Sequence, residues 1–223
     1  MNFHLLTKLN RLLFKKIKDI DITGLHLTSE DLNNEKLGYL NNIKFKHLKE
    51  LNLSHNKISD IKILEEFKYK NLEKLKLFSN EIKEIDSLEK INFNLLKELD
   101  LRQNYISSLD ILPKVHFEKL EILNLNSNKI TDIDVLGKVN FKELKRLCLS
   151  HNKIIDINIF QKVNFEKLRN LYLSYNNISD FDPLSIVMNL KNIYKIFLYN
   201  TSIKEKRDSI DNLGIIIFSD AND

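Results

Sequence analysis

Apolar and polar positions along this chain follow two periods in turn, and the stretch Leu120–Ile133 (LEILNLNSNKITDI) shows both. From Ile122 to Asn126, successive side chains of an extended backbone point to opposite faces. Leu123 and Leu125 then share one face, and Ile122, Asn124 and Asn126 the other. That alternation predicts a short strand with one buried side. After Asn126 the chain must turn away, and Ile130 and Ile133 return to the apolar interior. A buried bend leaves backbone N–H and C=O groups to satisfy, and the Asn128 carboxamide offers two donors and an acceptor for them.

One such unit cannot bury its own apolar side, and the chain supplies copies. Leu48, Leu72, Leu96, Leu120, Leu144 and Leu168 open units spaced by 24 residues, and Asn56, Asn80, Asn104, Asn128, Asn152 and Asn176 keep the same step. An aromatic column precedes each opening leucine by three residues (Phe45, Tyr69, Phe93, Phe117, Phe141, Phe165), and a further column runs Leu64, Leu88, Leu112, Leu136, Phe160 and Leu184. Columns in register over six units predict an elongated solenoid in which each unit touches only its neighbours. Parallel strands at about 4.8 Å over eight or nine units make an arc roughly 40 Å long. The segments after each asparagine (ISDIKIL, ITDIDVL, IIDINIF, ISDFDPL) carry aspartate where a helix or 3-10 turn would be capped. Asp182 followed by Pro183 fits an N-cap and the first helical residue.

The ends depart from the repeat. Residues 1–16 place Phe3, Leu6, Leu9 and Leu13 at helical spacing with Lys8, Arg11 and Lys15 opposite, as expected of an amphipathic helix capping the open end of the solenoid. Repeats are expected over 17–192. The first is degenerate, Ile17-x-x-Ile20-x-Ile22, with Leu25 at the asparagine place and Ser29 placed to cap a short helix. Residues 193–223 hold an irregular last repeat (Ile193, Ile196, Leu198, then Thr201 for asparagine) and a closing strand after Gly214.

The pattern LxxLxLxxNxI followed by xDIxxL resembles the leucine-rich-repeat superfamily. Phrases such as NKISDIKIL and NNISDFDPL are most similar to its SDS-type phosphatase-regulator and internalin-like branch. The resemblance implies an α/β solenoid, a right-handed superhelical arc with a parallel sheet on its concave side and short helices or 3-10 turns on its convex side. It also implies a protein partner on the concave face and no cofactor. A non-enzymatic interaction scaffold or regulatory subunit is therefore expected. The alternatives are the recognition arm of a larger enzyme or effector, and a secreted or surface internalin-like adhesin. Secreted members often close their ends with disulfides, whereas the single Cys148 here cannot form an internal one. That favours a reducing, cytoplasmic location. The N-terminal apolar positions are interrupted by Lys8, Arg11 and Lys15, so neither a signal peptide nor a membrane span is expected.

Charge changes the picture little. The chain carries 35 Lys+Arg and 31 Asp+Glu. Residues 1–18 hold Lys8, Arg11, Lys15, Lys16 and Lys18 without an acid, which leaves the solenoid body near neutral. No basic stripe marks a nucleic-acid reader, and a monomer is expected.

Repeat architecture fixes the leucine and asparagine columns and leaves the other strand positions free, so aromatic side chains there need another reason. Tyr172, Tyr175, Phe197 and Tyr199 fall within two neighbouring strands. Aromatic residues and arginine dominate binding hot spots, which makes this cluster a candidate partner-binding patch. Phe78, Arg102 and Tyr105 form a lesser one. The competing reading is that the rings only stabilise the sheet. Enzymatic readings find no support. His55 and His151 share a column four repeats apart, too far for one metal. Cys148 and His151 lack a third residue and a Gly-rich oxyanion loop. The Asp60, Asp132, Asp156 and Asp180 column recurs with the repeat as turn chemistry. No catalytic, cofactor or metal site is expected.

Overall fold

A computed structural model describes residues 24–26, 33–38, 40, 45, 47–179, 182–199 and 216–218. The expected cap helix over 1–16, Ser29, Asp180 and Thr201 lie outside these residues. Among the described residues, nine strands of three residues each form one sheet in sequence order. They are β1 (Gly24–His26), β2 (Glu50–Asn52), β3 (Lys74–Lys76), β4 (Glu98–Asp100), β5 (Ile122–Asn124), β6 (Arg146–Cys148), β7 (Asn170–Tyr172), β8 (Lys195–Phe197) and β9 (Ile216–Phe218). Every neighbouring pair is parallel. A sheet whose order equals its sequence order is what a coil of one strand per turn must produce. The irregular last repeat takes its place as β8, with Ile196 partnering Leu171, and the closing strand adds on as β9.

The first repeat is framed differently from the sequence reading. Leu25 does not stand at the asparagine place; it partners Leu51 in the sheet, at the position of a buried strand leucine. Its step to Leu51 is 26 residues, close to the regular repeat. The Ile17, Ile20 and Ile22 spacing imitates the motif five residues too early.

The strand leucines from Leu51 to Leu171 have no exposed surface, and the aromatic column packs behind them: Phe93, Phe117 and Phe141 are at most 2 % exposed. Tyr69 is the one member of that column with a hydroxyl. Its O–H donates to the Leu40 carbonyl at 2.7 Å, which lets a phenol sit where its successors are phenylalanine. Burial raises the pKa of that phenol well above its ordinary range.

The asparagine column ties one repeat to the next. The Asn128 side-chain amide donates to the carbonyls of Leu125 (3.1 Å) and Asn126 (3.3 Å) in its own turn and of Leu101 (3.0 Å) in the turn before. Its Oδ1 accepts the N–H of Ile106 at 3.0 Å. Asn80, Asn104, Asn152 and Asn176 repeat the pattern across their own neighbours. The return segments are 3-10 turns at Lys62–Glu66, Asp86–Glu89, Leu112–Lys114, Asp134–Lys138 and Asn158–Gln161. Three of them begin on side-chain turns: Asp60, Asp132 and Asp156 each accept the N–H two residues on, at 2.7–2.8 Å.

Among the described residues two α-helices stand outside this rule, α1 (Asn34–Leu37) and α2 (Pro183–Asn189). The α2 N-cap is as the sequence predicts. Asp182 Oδ1 accepts the Leu184 N–H at 3.1 Å and Pro183 opens the helix. The extra turn of α-helix shifts the register, however. Leu184 leaves the apolar column and is 53 % exposed, while Ile186 and Leu190 go into the core.

Candidate partner-binding face

Side chains opposite the strand leucines line the open face of the sheet. The fold fixes only their direction, so their chemistry reports on use. Along one column run Asn52, Lys76, Asp100, Asn124, Cys148, Tyr172 and Phe197, with Phe218 at the next register position.

The predicted C-terminal cluster is present but divides into two stacks. Tyr172 lies on Phe197, with ring centroids 4.3 Å apart and 4° from parallel. Tyr175 does not join them; its ring stacks on His151 at 4.2 Å and 8°. Tyr199 is half-buried and is tied to the preceding repeat through its backbone. Its carbonyl accepts the Tyr175 N–H at 2.7 Å, and its own N–H donates to Ser174 Oγ at 3.0 Å. His151 is the member that sequence reasoning missed. It had been weighed only as a metal ligand with His55 and as a catalytic partner of Cys148, although its place one repeat before Tyr175 is the signal for ring contact.

The column of His151 and Tyr175 is less free than the repeat pattern implies. His55, Ser79, Gln103, Ser127, His151 and Tyr175 all hold φ between 54° and 58°. This left-handed conformation is uncommon outside glycine. It turns the chain so that the following asparagine points inward, and it lifts each of these side chains to the rim of the face.

The lesser cluster also divides. The Arg102 guanidinium lies 4.2 Å over the Phe78 ring, and His55 meets the same ring edge-on at 4.6 Å. Tyr105 stands past the asparagine on the flank, 46 % exposed, with Lys129 Nζ 4.7 Å from its ring. It belongs to a different surface from Phe78 and Arg102.

A family model described as leucine-rich repeats (two copies) matches residues 46–90, 94–138, 118–162 and 142–185. The chain belongs to the leucine-rich-repeat family. No curated protein sequence matches it. Among solved structures, an internalin (inlF) from Listeria monocytogenes is similar over 89 % of this chain and 54 % of its own, at 25 % identity and a TM-score of 0.72. Internalin C2 from the same organism is similar over 89 % of this chain and 81 % of its own, at 25 % identity and TM-score 0.70. A leucine-rich-repeat protein of Leptospira interrogans is similar over 92 % of this chain and 49 % of its own, at 27 % identity and TM-score 0.67. The chain thus spans about half the length of the first and third of these structures.

In this leucine-rich-repeat arc the sheet lines the concave side. Cys148 is 5 % exposed, and burial, with Asp100 adding to it against nearby Arg146, pushes its thiol up to about 12. A thiol so held is a poor nucleophile. Burial likewise raises Asp100 above the usual carboxylate range, against the Arg102 N–H and guanidinium that draw it down. Among the described residues, no cluster of His, Cys, Asp and Glu could hold a metal ion, and no helix is long and apolar enough to cross a membrane.

Proposed function

We propose that this leucine-rich-repeat protein is a non-enzymatic interaction scaffold or regulatory subunit, and that it grips a partner protein with Tyr172, Tyr175, Phe197 and Tyr199. The observation that supports this reading is the pair of ring stacks at face positions that the repeat does not require to be aromatic. Phe78 with Arg102 is a second contact area on the same face, and Tyr105 on the flank is a separate, weaker one. Rigid rings that already rest on one another lose little side-chain freedom when a partner covers them, so the contact area is cheap in entropy.

A second reading has an observation of its own. This chain covers only about half of two of the similar structures, so the same arc serves well as the recognition arm of a larger protein, whether an effector or an internalin-like surface protein. The lone buried thiol favours a reducing, cytoplasmic setting for the scaffold. Cell fractionation with antibody to the chain separates the two, since a surface arm is found outside the cytosol.

The test of the face itself is capture from lysate of the native cell, using the wild type, Tyr172→Ala/Phe197→Ala, and Lys153→Glu on the flank. The aromatic double variant is expected to lose the captured partner while keeping a cooperative melt. Undiminished capture by that variant would overturn the assignment.

A further inference from the structure

We infer that the C-terminal half of the concave face is built for an extended acidic peptide segment carrying aromatic residues. This rests on the reading that the Tyr172/Phe197 area is the contact surface, and adds the chemistry of what is bound. The two halves of the face handle charge differently. On β2–β4 three carboxylates stand with three cations and consume them: Lys76 reaches Glu50 at 2.8 Å, Lys74 reaches Glu98 at 3.9 Å, and Arg102 reaches Asp100 at 3.4 Å. On β5–β8 no Asp or Glu occupies a face position, while Arg146 and Lys195 do. Arg146 is exposed, with no carboxylate at ion-pair distance among the described residues. Lys195 Nζ stands 5.2 Å from the Tyr194 ring.

The neighbouring edge column strengthens the contrast. Lys49, Glu73, Lys97, Glu121 and Lys145 alternate in sign from repeat to repeat, with pairs at 3.5 Å (Lys49–Glu73), 2.7 Å (Lys97–Glu73) and 2.8 Å (Lys145–Glu121). The next member should be acidic and is Arg169, which is exposed. Arg169 therefore stands where the repeat's own rule would have set an acid, beside the strands that carry Arg146 and Lys195 at the same face position. Arg146 and Lys195 stand two residues before Cys148 and Phe197 on the same strands, about 7 Å along the strand direction. Alternate residues of an extended peptide have about that spacing, so a ring laid on Tyr172 and Phe197 brings its flanking carboxylates over the cations. A single-stranded nucleic acid also seeks rings and cations. Its phosphate track would have to continue past Glu50, Glu98 and Asp100, and the basic margin is only three strands wide, so the peptide is favoured.

The experiment is selection of a displayed random-peptide library on the full chain. Enriched sequences are expected to pair aspartate or glutamate with aromatic residues. A synthetic peptide of the leading sequence should weaken about tenfold or more on Arg146→Glu/Lys195→Glu, less on Arg146→Gln/Lys195→Gln, and progressively with added salt. Lys153→Glu should leave binding unchanged. No enrichment, enrichment without acidic residues, binding indifferent to charge reversal, or displacement of the peptide by an equal concentration of oligouridylate would each overturn the inference. Peptides lost on Tyr172→Ala/Phe197→Ala but kept on charge reversal would leave the aromatic surface standing and remove only the acidic class. Indifference to both variants would remove both.

Discussion

Tyr172 and Phe197 lie ring on ring at 4.3 Å, and their Cα atoms are register partners of β7 and β8. The pair is thus a sheet contact and a displayed surface at once, and the two roles separate by measurement. Stacked aromatic pairs contribute about 0.5–1.5 kcal/mol beyond the area they bury. A double-mutant cycle of Tyr172→Ala and Phe197→Ala in urea is expected to give a coupling of about 1 kcal/mol. The coupling isolates the ring-on-ring contact from the cost of each truncation, and the double variant's own cooperative melt separates loss of partner capture from unfolding. A coupling indistinguishable from zero would mean that the rings do not support each other in solution.

Asn128 makes a sharper stability prediction, because its carboxamide is 8 % exposed and has four backbone partners in two turns. Replacement by alanine strands the Ile106 N–H and several carbonyls, and should cost roughly 1–3 kcal/mol in equilibrium unfolding. Asn128→Asp should cost more at neutral pH. It removes every donor and turns a carboxylate towards the carbonyls of Leu101, Leu125 and Asn126. An Asn128→Ala chain with an unchanged midpoint would show that the asparagine ladder does not hold the turns together.

Most of the fold was legible in the sequence because a 24-residue period writes the same physical requirement six times. The leucine, asparagine and aromatic columns could each be read from composition at one spacing. What was not legible is what differs between repeats or depends on backbone geometry. Leu25 was misframed because Ile17, Ile20 and Ile22 mimic the motif nearby. Leu184 fell out of its column because Asp182 and Pro183 start a true α-helix, whose pitch differs from that of a 3-10 turn. The four aromatic candidates were placed on neighbouring strands, but periodicity does not say which rings touch. The left-handed φ before each asparagine decides that Tyr175 meets His151, and no glycine marks that conformation.

The edge ladder and the face carboxylate respond to acid with opposite signs. Glu73 is held below the usual glutamate range by its hydrogen bond to Lys97, with the charges of Lys97 and Lys49 helping against some burial. Its stabilising effect is full above its unfolded value, about 4.3, and is lost as pH falls through the lower folded value. Asp100 is raised by burial, so its ionised form is a cost in the folded chain at neutral pH, and that cost lifts as pH falls. Urea midpoints measured from neutrality down through the carboxylate range are expected to fall less steeply for Glu73→Gln than for wild type, and more steeply for Asp100→Asn. The reverse ordering would contradict the assigned causes.

Cys148 should report the opening of the arc. With its thiol pushed up to about 12, its thiolate fraction at pH 8 is roughly three orders of magnitude below that of an ordinary cysteine. Its side chain is also only 5 % exposed between Asn124 and Tyr172 in the column. Reaction with an aromatic disulfide reagent is therefore expected to be slow in the native chain and complete within mixing time in denaturing urea. Because β6 lies in the middle of a sheet whose turns are bound to each other by Asn128, Asn152 and Asn176, the native rate should follow the opening equilibrium, not the thiol's own chemistry. Asn152→Ala, which loosens the turn carrying Cys148, should then speed labelling in proportion to the stability it removes. A labelling rate equal to that of a free thiol in the folded wild type would place Cys148 on the open surface and contradict the packing of that column.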